Sequence, residues 1–175
     1  SVLIDGAEVS SRRPSILSQL YMVPEEFDLP GVTLGRYVKM YAPFYPRFSH
    51  QTLESCLGGF GMDAGQRLSK LSMGQKKKAL MSFALAPNTR YLLMDEPTAA
   101  LDPYNRRVII NTIHALPNTK LITSHDLDMI LDTCDRVILM NKGMIRADGP
   151  AEEILTNQAL LEECHLELPL CYQRR

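Results

Sequence analysis

Residues 91–97 read Tyr-Leu-Leu-Met-Asp-Glu-Pro, which is an apolar run that ends in two adjacent carboxylates. A run that is apolar at every position is typical of a strand buried on both faces, as in a parallel sheet covered by helices. Acids at the carboxyl end of such a strand lie in the crevice where α/β sheets bind their ligands. This stretch therefore predicts an α/β fold whose ligand site contains Asp95 and Glu96.

Short aliphatic runs alternate with segments of helical period along the rest of the chain, as expected for a mostly parallel sheet with flanking helices. The predicted strands are Val2–Ile4, Leu20–Val23, Tyr91–Met94, Leu121–Thr123, Val137–Met140 and Met144–Ala147. The last two are joined by Asn-Lys-Gly, which is typical of a hairpin turn and predicts a C-terminal antiparallel pair. Predicted helices begin after the N-capping residues Asp102 and Asp126 and after Pro150.

The composition fits one domain over residues 1–175 and excludes several classes of protein. With 45% hydrophobic residues and a net charge of −1, the chain has no excess of basic residues for binding nucleic acid. No apolar run approaches the ~18 residues that cross a bilayer, and the first residues do not resemble a signal peptide. The four cysteines form no C-x-x-C pair, which argues against a zinc site and favours the reducing cytoplasm.

The two acids that follow the predicted strand are expected to play different roles. Consecutive strand residues point to opposite sides, so Asp95 and Glu96 cannot do the same job. One can hold Mg²⁺, usually through water, while the other orients or deprotonates an attacking water. The alternative is that both acids end the strand and are merely solvated.

A second motif lies at the predicted start of a helix, where residues 71–78 read Leu-Ser-Met-Gly-Gln-Lys-Lys-Lys. Ser72 and Gly74 at a helix start present a hydroxyl and backbone N–H groups to an anion, and the helix dipole favours negative charge there. This pattern predicts a phosphate site. The alternative is a serine that only caps a basic surface helix.

Four motifs together resemble those of the ATPase subunits of ABC transporters, over about residues 1–169. In chain order they are Leu71–Gln75, Leu92–Pro97, Ala100–Asp102 and Ser124–Asp126. They are similar to the signature motif, the Walker B strand with its catalytic glutamate, the D-loop and the switch histidine. Four motifs in this order are specific, whereas each motif alone is not. The resemblance implies a P-loop NTPase-like core, ATP and Mg²⁺ as cofactors, and hydrolysis of ATP within a dimer.

The resemblance also implies a role for each matched residue. The implied catalytic residues are Glu96, as general base, and His125, as sensor of the γ-phosphate. The implied metal-facing residues are Asp95 and Glu25. The implied cofactor-binding residues are Ser72, Met73, Gly74, Gln75 and Asp102, of which Asp102 couples the two halves of the dimer.

Three features depart from the family pattern. The P-loop, G-x-x-x-x-G-K-[ST], is absent from these 175 residues, so the core is incomplete on its N-terminal side. The stretch Gly58–Gly61 is not a substitute and is interpreted as a loop after a helix. Glu25 stands where glutamine is usual, which adds a charge and removes an amide donor. Met73 stands where glycine is common, so its side chain is expected to point away from the phosphate.

The missing P-loop allows two interpretations. Either the chain is a piece of a longer protein whose P-loop lies upstream, or the protein has lost nucleotide binding in cis. The first is favoured because the catalytic acids are intact. The chain alone is then expected to be inactive.

Within the single domain, residues 27–86 are expected to form a helical subdomain, and residues 87–175 the rest of the catalytic core with a C-terminal tail. Aromatic residues between Glu26 and Phe60 are expected either to line a groove for a helix of a membrane subunit or to pack within the subdomain. Residues 116–169 resemble the ATPases of cobalt, nickel and vitamin importers of the energy-coupling-factor type, whereas residues 41–48 are more similar to exporter-type ATPases. The transported compound and its direction stay open.

The leading hypothesis is an ATP-hydrolysing subunit that works with a transmembrane permease and forms a homodimer, or a heterodimer with another ABC ATPase. It would be cytoplasmic and peripheral on the inner face of the cell membrane. A second hypothesis is a truncated, non-catalytic module that docks to a membrane subunit or to a full-length ATPase. A third, an ABC-type ATPase without membrane partners, is less favoured because such proteins usually carry long insertions or tandem copies. No nucleic-acid partner is expected.

Overall fold

The computed structural model describes residues 2–173, which form two compact units. The first unit contains residues 2–108 and 117–123, and the second contains residues 109–116 and 124–173. The strands are β1 (Leu3–Ile4), β2 (Ala7–Glu8), β3 (Leu20–Val23), β4 (Tyr91–Asp95), β5 (Thr119–Thr123), β6 (Arg136–Asn141) and β7 (Met144–Pro150). The α-helices are α1 (Pro14–Leu17), α2 (Leu34–Tyr41), α3 (His50–Gly59), α4 (Met73–Leu85), α5 (Pro103–Ala115), α6 (Leu127–Thr133), α7 (Ala151–Leu155) and α8 (Gln158–Glu163).

A parallel sheet with the strand order β3-β4-β5 is the centre of the first unit. In this sheet Met94 of β4 pairs with Val23 of β3, and Asp95 pairs with Thr123 of β5. Because parallel strands run in the same direction, the chain leaves all three strands at the same edge of the sheet. The residues that follow β3 and β4 are therefore neighbours at that edge.

Strand β5 forms one side of this sheet, since within residues 2–173 it pairs with β4 alone. Its apolar residue Leu121 is 59% exposed. The side of an edge strand that faces away from its sheet can accept a further strand.

Helix α4 supplies the largest buried segment of the first unit, because its residues 79–85 are all buried. Phe83 is 1% exposed, and the centroids of five other rings lie within 6.5 Å of its own. These rings belong to Tyr21, Tyr37, Tyr41, Tyr45 and Phe48. Most aromatic residues between α2 and α3 therefore pack within this unit, whereas Phe44 is 68% exposed.

The second unit is built on the antiparallel hairpin of β6 and β7. Its turn contains Lys142 and Gly143, both with positive φ, as a two-residue hairpin turn of type I′ requires. Arg136 and Asp148 form a two-pronged ion pair across the hairpin, with both distances 2.7 Å. Helix α7 packs on this hairpin and on α6, which buries Leu155 and Met129.

The α/β fold class predicted from the sequence is confirmed, with its parallel sheet, flanking helices and C-terminal antiparallel pair. The interpretation of Gly58–Gly61 as a loop is wrong for its first half, because Gly58 and Gly59 are the last two residues of α3. The buried residues Leu53 and Leu57 hold the helix against α4, and the turn comes only at Gly61, where φ is +62°. The division at residues 27–86 and 87–175 stays a prediction.

Among the helices in residues 2–173, none combines the length and the apolar character that a membrane span requires.

The contacts of Phe83 predict a large loss of stability for Phe83→Ala. Removing a buried aromatic side chain costs about 3–5 kcal/mol, because the neighbouring rings cannot fill the cavity. The free energy of unfolding, measured by urea denaturation, should fall by that amount. Phe44→Ala is the matched control and should change it by less than about 1 kcal/mol, since this ring is mostly exposed. Equal losses for the two variants would contradict the packing described here.

Candidate functional site

The carboxyl ends of β3 and β4 bring three acids to one edge of the sheet: Glu25, Asp95 and Glu96. We call these three residues and their backbone the acid edge. Asp95 is the last residue of β4, Glu96 follows it, and Glu25 lies two residues after the end of β3. Asp95 and Glu96 are partly buried, whereas Glu25 is exposed. The structure thus brings together the three acids that the sequence analysis singled out.

Asp95 is oriented by a residue that the sequence analysis did not select. The hydroxyl of Thr123, at the end of β5, donates a hydrogen bond to Asp95 Oδ1. This bond follows from the register, which places Asp95 opposite Thr123. The sequence places Thr123 at the end of a predicted strand, but it does not give the register that brings Thr123 opposite Asp95. The bond fixes one carboxylate oxygen and leaves the other for a ligand.

Glu96 does not continue the strand, because its φ is +43°. A non-glycine residue with this left-handed backbone is uncommon and costs conformational energy, so surrounding bonds must hold it. One such bond runs from the Glu96 N–H to the carbonyl of Thr123, at 2.9 Å. The expectation that strand alternation separates the two acids is therefore wrong for Glu96.

Lys77 is a second residue that the sequence analysis did not select, although it lies in the run of three lysines that follows Gln75. It is only 2% exposed. Its Nζ donates to the carbonyl oxygens of Pro24 and Asp95, at 3.4 and 3.3 Å. Burial lowers the pKa of Lys77, and the charges of Glu25, Asp95 and Glu96 oppose that shift. An ammonium group therefore lies beneath the acid edge.

The start of α4 has the geometry of a capping box. Ser72 Oγ accepts a hydrogen bond from the Gln75 N–H at 3.3 Å, and Gln75 Oε1 accepts one from the Ser72 N–H at 3.0 Å. Ser72 therefore caps α4, as the alternative interpretation of this motif predicts. This capping does not exclude binding of an anion at the same helix start. The N–H groups of Met73 and Gly74 precede the first intrahelical donor, which is the Lys76 N–H bonded to the Ser72 carbonyl. The Ser72 hydroxyl can also still donate. Ser72 is exposed, and Met73 is 50% exposed at the first helical position.

Gly74 lets the start of α4 approach the turn before α5. A Cβ built at Gly74 would lie 3.4 Å from the carbonyl oxygen of Ala100 and 3.8 Å from the side chain of Leu101. Ala100 has a φ of +60°, so the turn itself is in an uncommon conformation. The signature-like motif and the D-loop-like motif are therefore neighbours within the first unit.

Asp102 caps α5, as the sequence predicts. Its Oδ1 accepts the Asn105 N–H at 3.0 Å, and its Oδ2 accepts a bond from the Asn105 side chain. The hydrogen bond from the Asn105 backbone holds the pKa of Asp102 below its usual value.

His125 is exposed and belongs to the second unit, two residues after the end of β5. The next residue, Asp126, caps α6 by accepting the Met129 N–H at 3.0 Å. The helix start predicted there is confirmed. His125 therefore belongs to a different unit from Asp95 and Glu96.

The acid edge suits Mg²⁺ in the way that nucleotide-dependent enzymes hold it. In residues 2–173 no group of three or more His, Cys, Asp or Glu side chains could enclose a metal ion. Mg²⁺ is usually bound through one or two carboxylates, with water and substrate phosphates completing its shell. Asp95, with one oxygen fixed by Thr123 and one available, fits this requirement.

No protein-family model matches the chain. Individual proteins do match it. It is 37% identical over 171 residues to the nickel import ATP-binding protein NikO of Rhodobacter capsulatus, covering 94% of this chain and 62% of that protein. It is 40% identical over 103 residues to the energy-coupling factor transporter ATP-binding protein EcfA of Carboxydothermus hydrogenoformans, covering 57% of this chain and 38% of that protein. The chain thus spans less than two thirds of the length of either relative.

Solved structures share the fold. One, the ATP-binding subunit of an ABC transporter, superposes with a TM-score of 0.79 at 21% identity, covering 93% of this chain and 73% of the other. Another, cbiO1 of Clostridium perfringens, which is part of the ABC transporter complex cbiONQ, gives a TM-score of 0.66 at 20% identity, covering 91% and 67%. At these identities the likeness concerns the fold.

The contact between Gly74 and Ala100 predicts that a large side chain is not tolerated there. Gly74→Leu should lower the free energy of unfolding by about 1–3 kcal/mol, because the side chain would displace the turn at Ala100. Gly58→Leu is the matched control, since Gly58 is also helical and its Cβ would meet nothing within 4 Å. Urea denaturation of both variants checks the difference. A Gly74→Leu chain as stable as the control would contradict the close approach.

Proposed function

Because this chain shares its motifs and its fold with the ATP-binding proteins of ABC transporters, we propose that it is part of an ATP-hydrolysing subunit of such a transporter. The observation that carries the proposal is the acid edge, where Thr123 holds Asp95 and where Glu96 leaves the strand on a left-handed turn. Two adjacent carboxylates with different surroundings can serve a metal ion and an attacking water separately.

We assign the metal side of the reaction to Asp95. Its oxygen that is not bonded to Thr123 would hold Mg²⁺, directly or through water. When bound, Mg²⁺ neutralises charge on the phosphates of ATP. Glu25, at the end of the adjacent strand, would face the same ion.

Glu96 is the proposed general base. Its carboxylate would orient the attacking water and accept a proton from it. Phosphoryl transfer depends mainly on positioning, so the fixed backbone at Glu96 is as important as its charge. We propose that His125, which follows β5, contacts the γ-phosphate.

The start of α4 is the proposed site for the phosphates of ATP bound by a partner subunit. The N–H groups of Met73 and Gly74 and the hydroxyl of Ser72 would donate to the γ-phosphate, which the helix dipole also favours. Gln75 would act through the cap, because its side chain bonds the Ser72 N–H. Asp102, which follows the two residues Ala100 and Leu101 that approach Gly74, would couple the two subunits.

The β- and γ-phosphates also need a P-loop, which we propose is supplied by residues outside these 175. The side of β5 that pairs with no described strand supports this proposal, since another strand can add there. The complete protein would then be the ATPase, and the 175 residues alone would be inactive.

We further propose a transmembrane permease as partner and a position on the inner face of the membrane. The named function of NikO, nickel import, suggests a transition-metal importer as the type of transporter. Sequencing upstream of Ser1 separates this proposal from the non-catalytic module. A G-x-x-x-x-G-K-[ST] motif supports the enzyme, and an initiation codon at Ser1 supports the module.

The role of Glu96 predicts the behaviour of Glu96→Gln in the complete protein. ATP hydrolysis should fall by at least about 100-fold, because the amide cannot accept the proton of the attacking water. ATP should then hold the variant as a dimer, which size-exclusion chromatography with ATP and Mg²⁺ detects. The 175-residue chain is the control and should show no turnover. A hydrolysing Glu96→Gln variant, or one that stays monomeric with ATP, would count against the mechanism.

Two N-capping serines allow the phosphate role of Ser72 to be tested apart from its structural role. Ser49 caps α3 as Ser72 caps α4, so Ser49→Ala and Ser72→Ala should each cost about 1 kcal/mol of stability. Only Ser72→Ala should also raise the ATP concentration needed for dimerisation, by roughly 10-fold or more, because a hydrogen bond to a charged phosphate is lost. The measurement is an ATP titration of dimer formation in the Glu96→Gln background. Equal shifts for both serines would assign Ser72 to capping alone.

A further inference from the structure

Lys77 is a buried charge that the proposed reaction does not use. Three consecutive lysines, Lys76, Lys77 and Lys78, occur in the first half of α4, and only Lys77 is turned inward. Its side chain passes the ring of Phe27, with Nζ 5.9 Å from the ring centroid. Burying an ammonium group costs free energy unless hydrogen bonds and opposite charges compensate for the lost water. An apolar side chain would fill the same space without that cost. The bonds of Lys77 therefore need an explanation.

Each carbonyl oxygen that accepts a hydrogen bond from Lys77 lies in the peptide group directly before a glutamate of the acid edge. The carbonyl of Pro24 is in the peptide group whose N–H belongs to Glu25, and the carbonyl of Asp95 is in the one whose N–H belongs to Glu96. One ammonium group thus holds the last peptide group before each glutamate. The negative charges of both glutamates and of Asp95 also act on it.

The peptide group between Asp95 and Glu96 is held on both sides. Lys77 bonds its carbonyl, and the carbonyl of Thr123 accepts its N–H at 2.9 Å. Immediately after this peptide, Glu96 takes a φ of +43°, which persists only when neighbouring bonds fix the backbone. Lys77 supplies one of these bonds from the helix that starts at Ser72.

We propose that Lys77 is a positioning residue, which fixes the peptide groups before Glu25 and Glu96 and so ties the acid edge to the start of α4. The catalytic consequence rests on the proposed function. If α4 shifted, Lys77 would move the peptide groups before both glutamates and so displace their carboxylates. The structural part does not depend on ATP hydrolysis.

The structural part is tested on the 175-residue chain by ¹H–¹⁵N NMR of the wild type, Lys77→Met and Lys76→Met. Methionine has a similar length and no ammonium group, and Lys76 is the adjacent lysine of the same helix. Lys77→Met should shift the amide signals of Glu25 and Glu96 more than Lys76→Met does, because their own peptide carbonyls lose a hydrogen bond. Unshifted signals at these two residues would overturn the inference. If Lys77→Met does not fold, as judged by circular dichroism, Lys77→Gln replaces it in the same comparison.

The catalytic part is tested on the complete protein that includes the P-loop. Lys77→Met should lower kcat for ATP by about 10- to 100-fold, because the general base is displaced from its working geometry. KM for ATP should stay within about 2-fold, since the phosphate-binding groups are untouched, and Lys76→Met should keep both constants. Shifted amide signals with unchanged kcat would overturn the positioning role. A wild-type protein without ATPase activity would refute the proposed function, and the NMR comparison would still decide the bonds of Lys77.

Discussion

The peptide group between Asp95 and Glu96 is the constraint on which the candidate site depends. At this point the chain leaves β4 between two residues with carboxylate side chains, and Glu96 makes the turn with a left-handed backbone conformation. Such a residue is stable only when its flanking peptide is held. Thr123 of β5 and Lys77 of α4 hold it from two sides, so the acids are fixed by the sheet register and by a helix together.

Helix α4 joins the packing of the first unit to its candidate chemistry. Its second half, around Phe83, lies in the aromatic cluster and determines where the helix sits. Its first residue follows Ser72, whose hydroxyl closes the capping box and remains exposed. The same helix therefore contributes core packing, a capped start and a buried ammonium group. A rigid element of this kind is well suited to placing donors for an anion.

The sequence predicts the elements of this site better than its bonds. The strand before Asp95, the capped helices at Ser72, Asp102 and Asp126, and the C-terminal hairpin follow from apolar patterns and capping residues, which act locally. The bond from Thr123 to Asp95 could not be predicted in this way, because it depends on the register between β4 and β5, which pairs two residues that are 28 positions apart in sequence. Lys77 was missed for a similar reason, since a lysine within a basic run is usually exposed. Gly58 and Gly59 were predicted to lie in a loop, because glycine disfavours a helix. They are helical because the buried residues Leu53 and Leu57 stabilise α3 up to this point.

The outer side of strand β5 affects how the isolated 175-residue chain behaves in solution. Among the described strands β5 pairs with β4 alone, and its Leu121 is largely exposed. An edge strand with an exposed apolar residue can pair with a strand of another molecule. Pairing of this kind would make association of the isolated chain rise with its concentration.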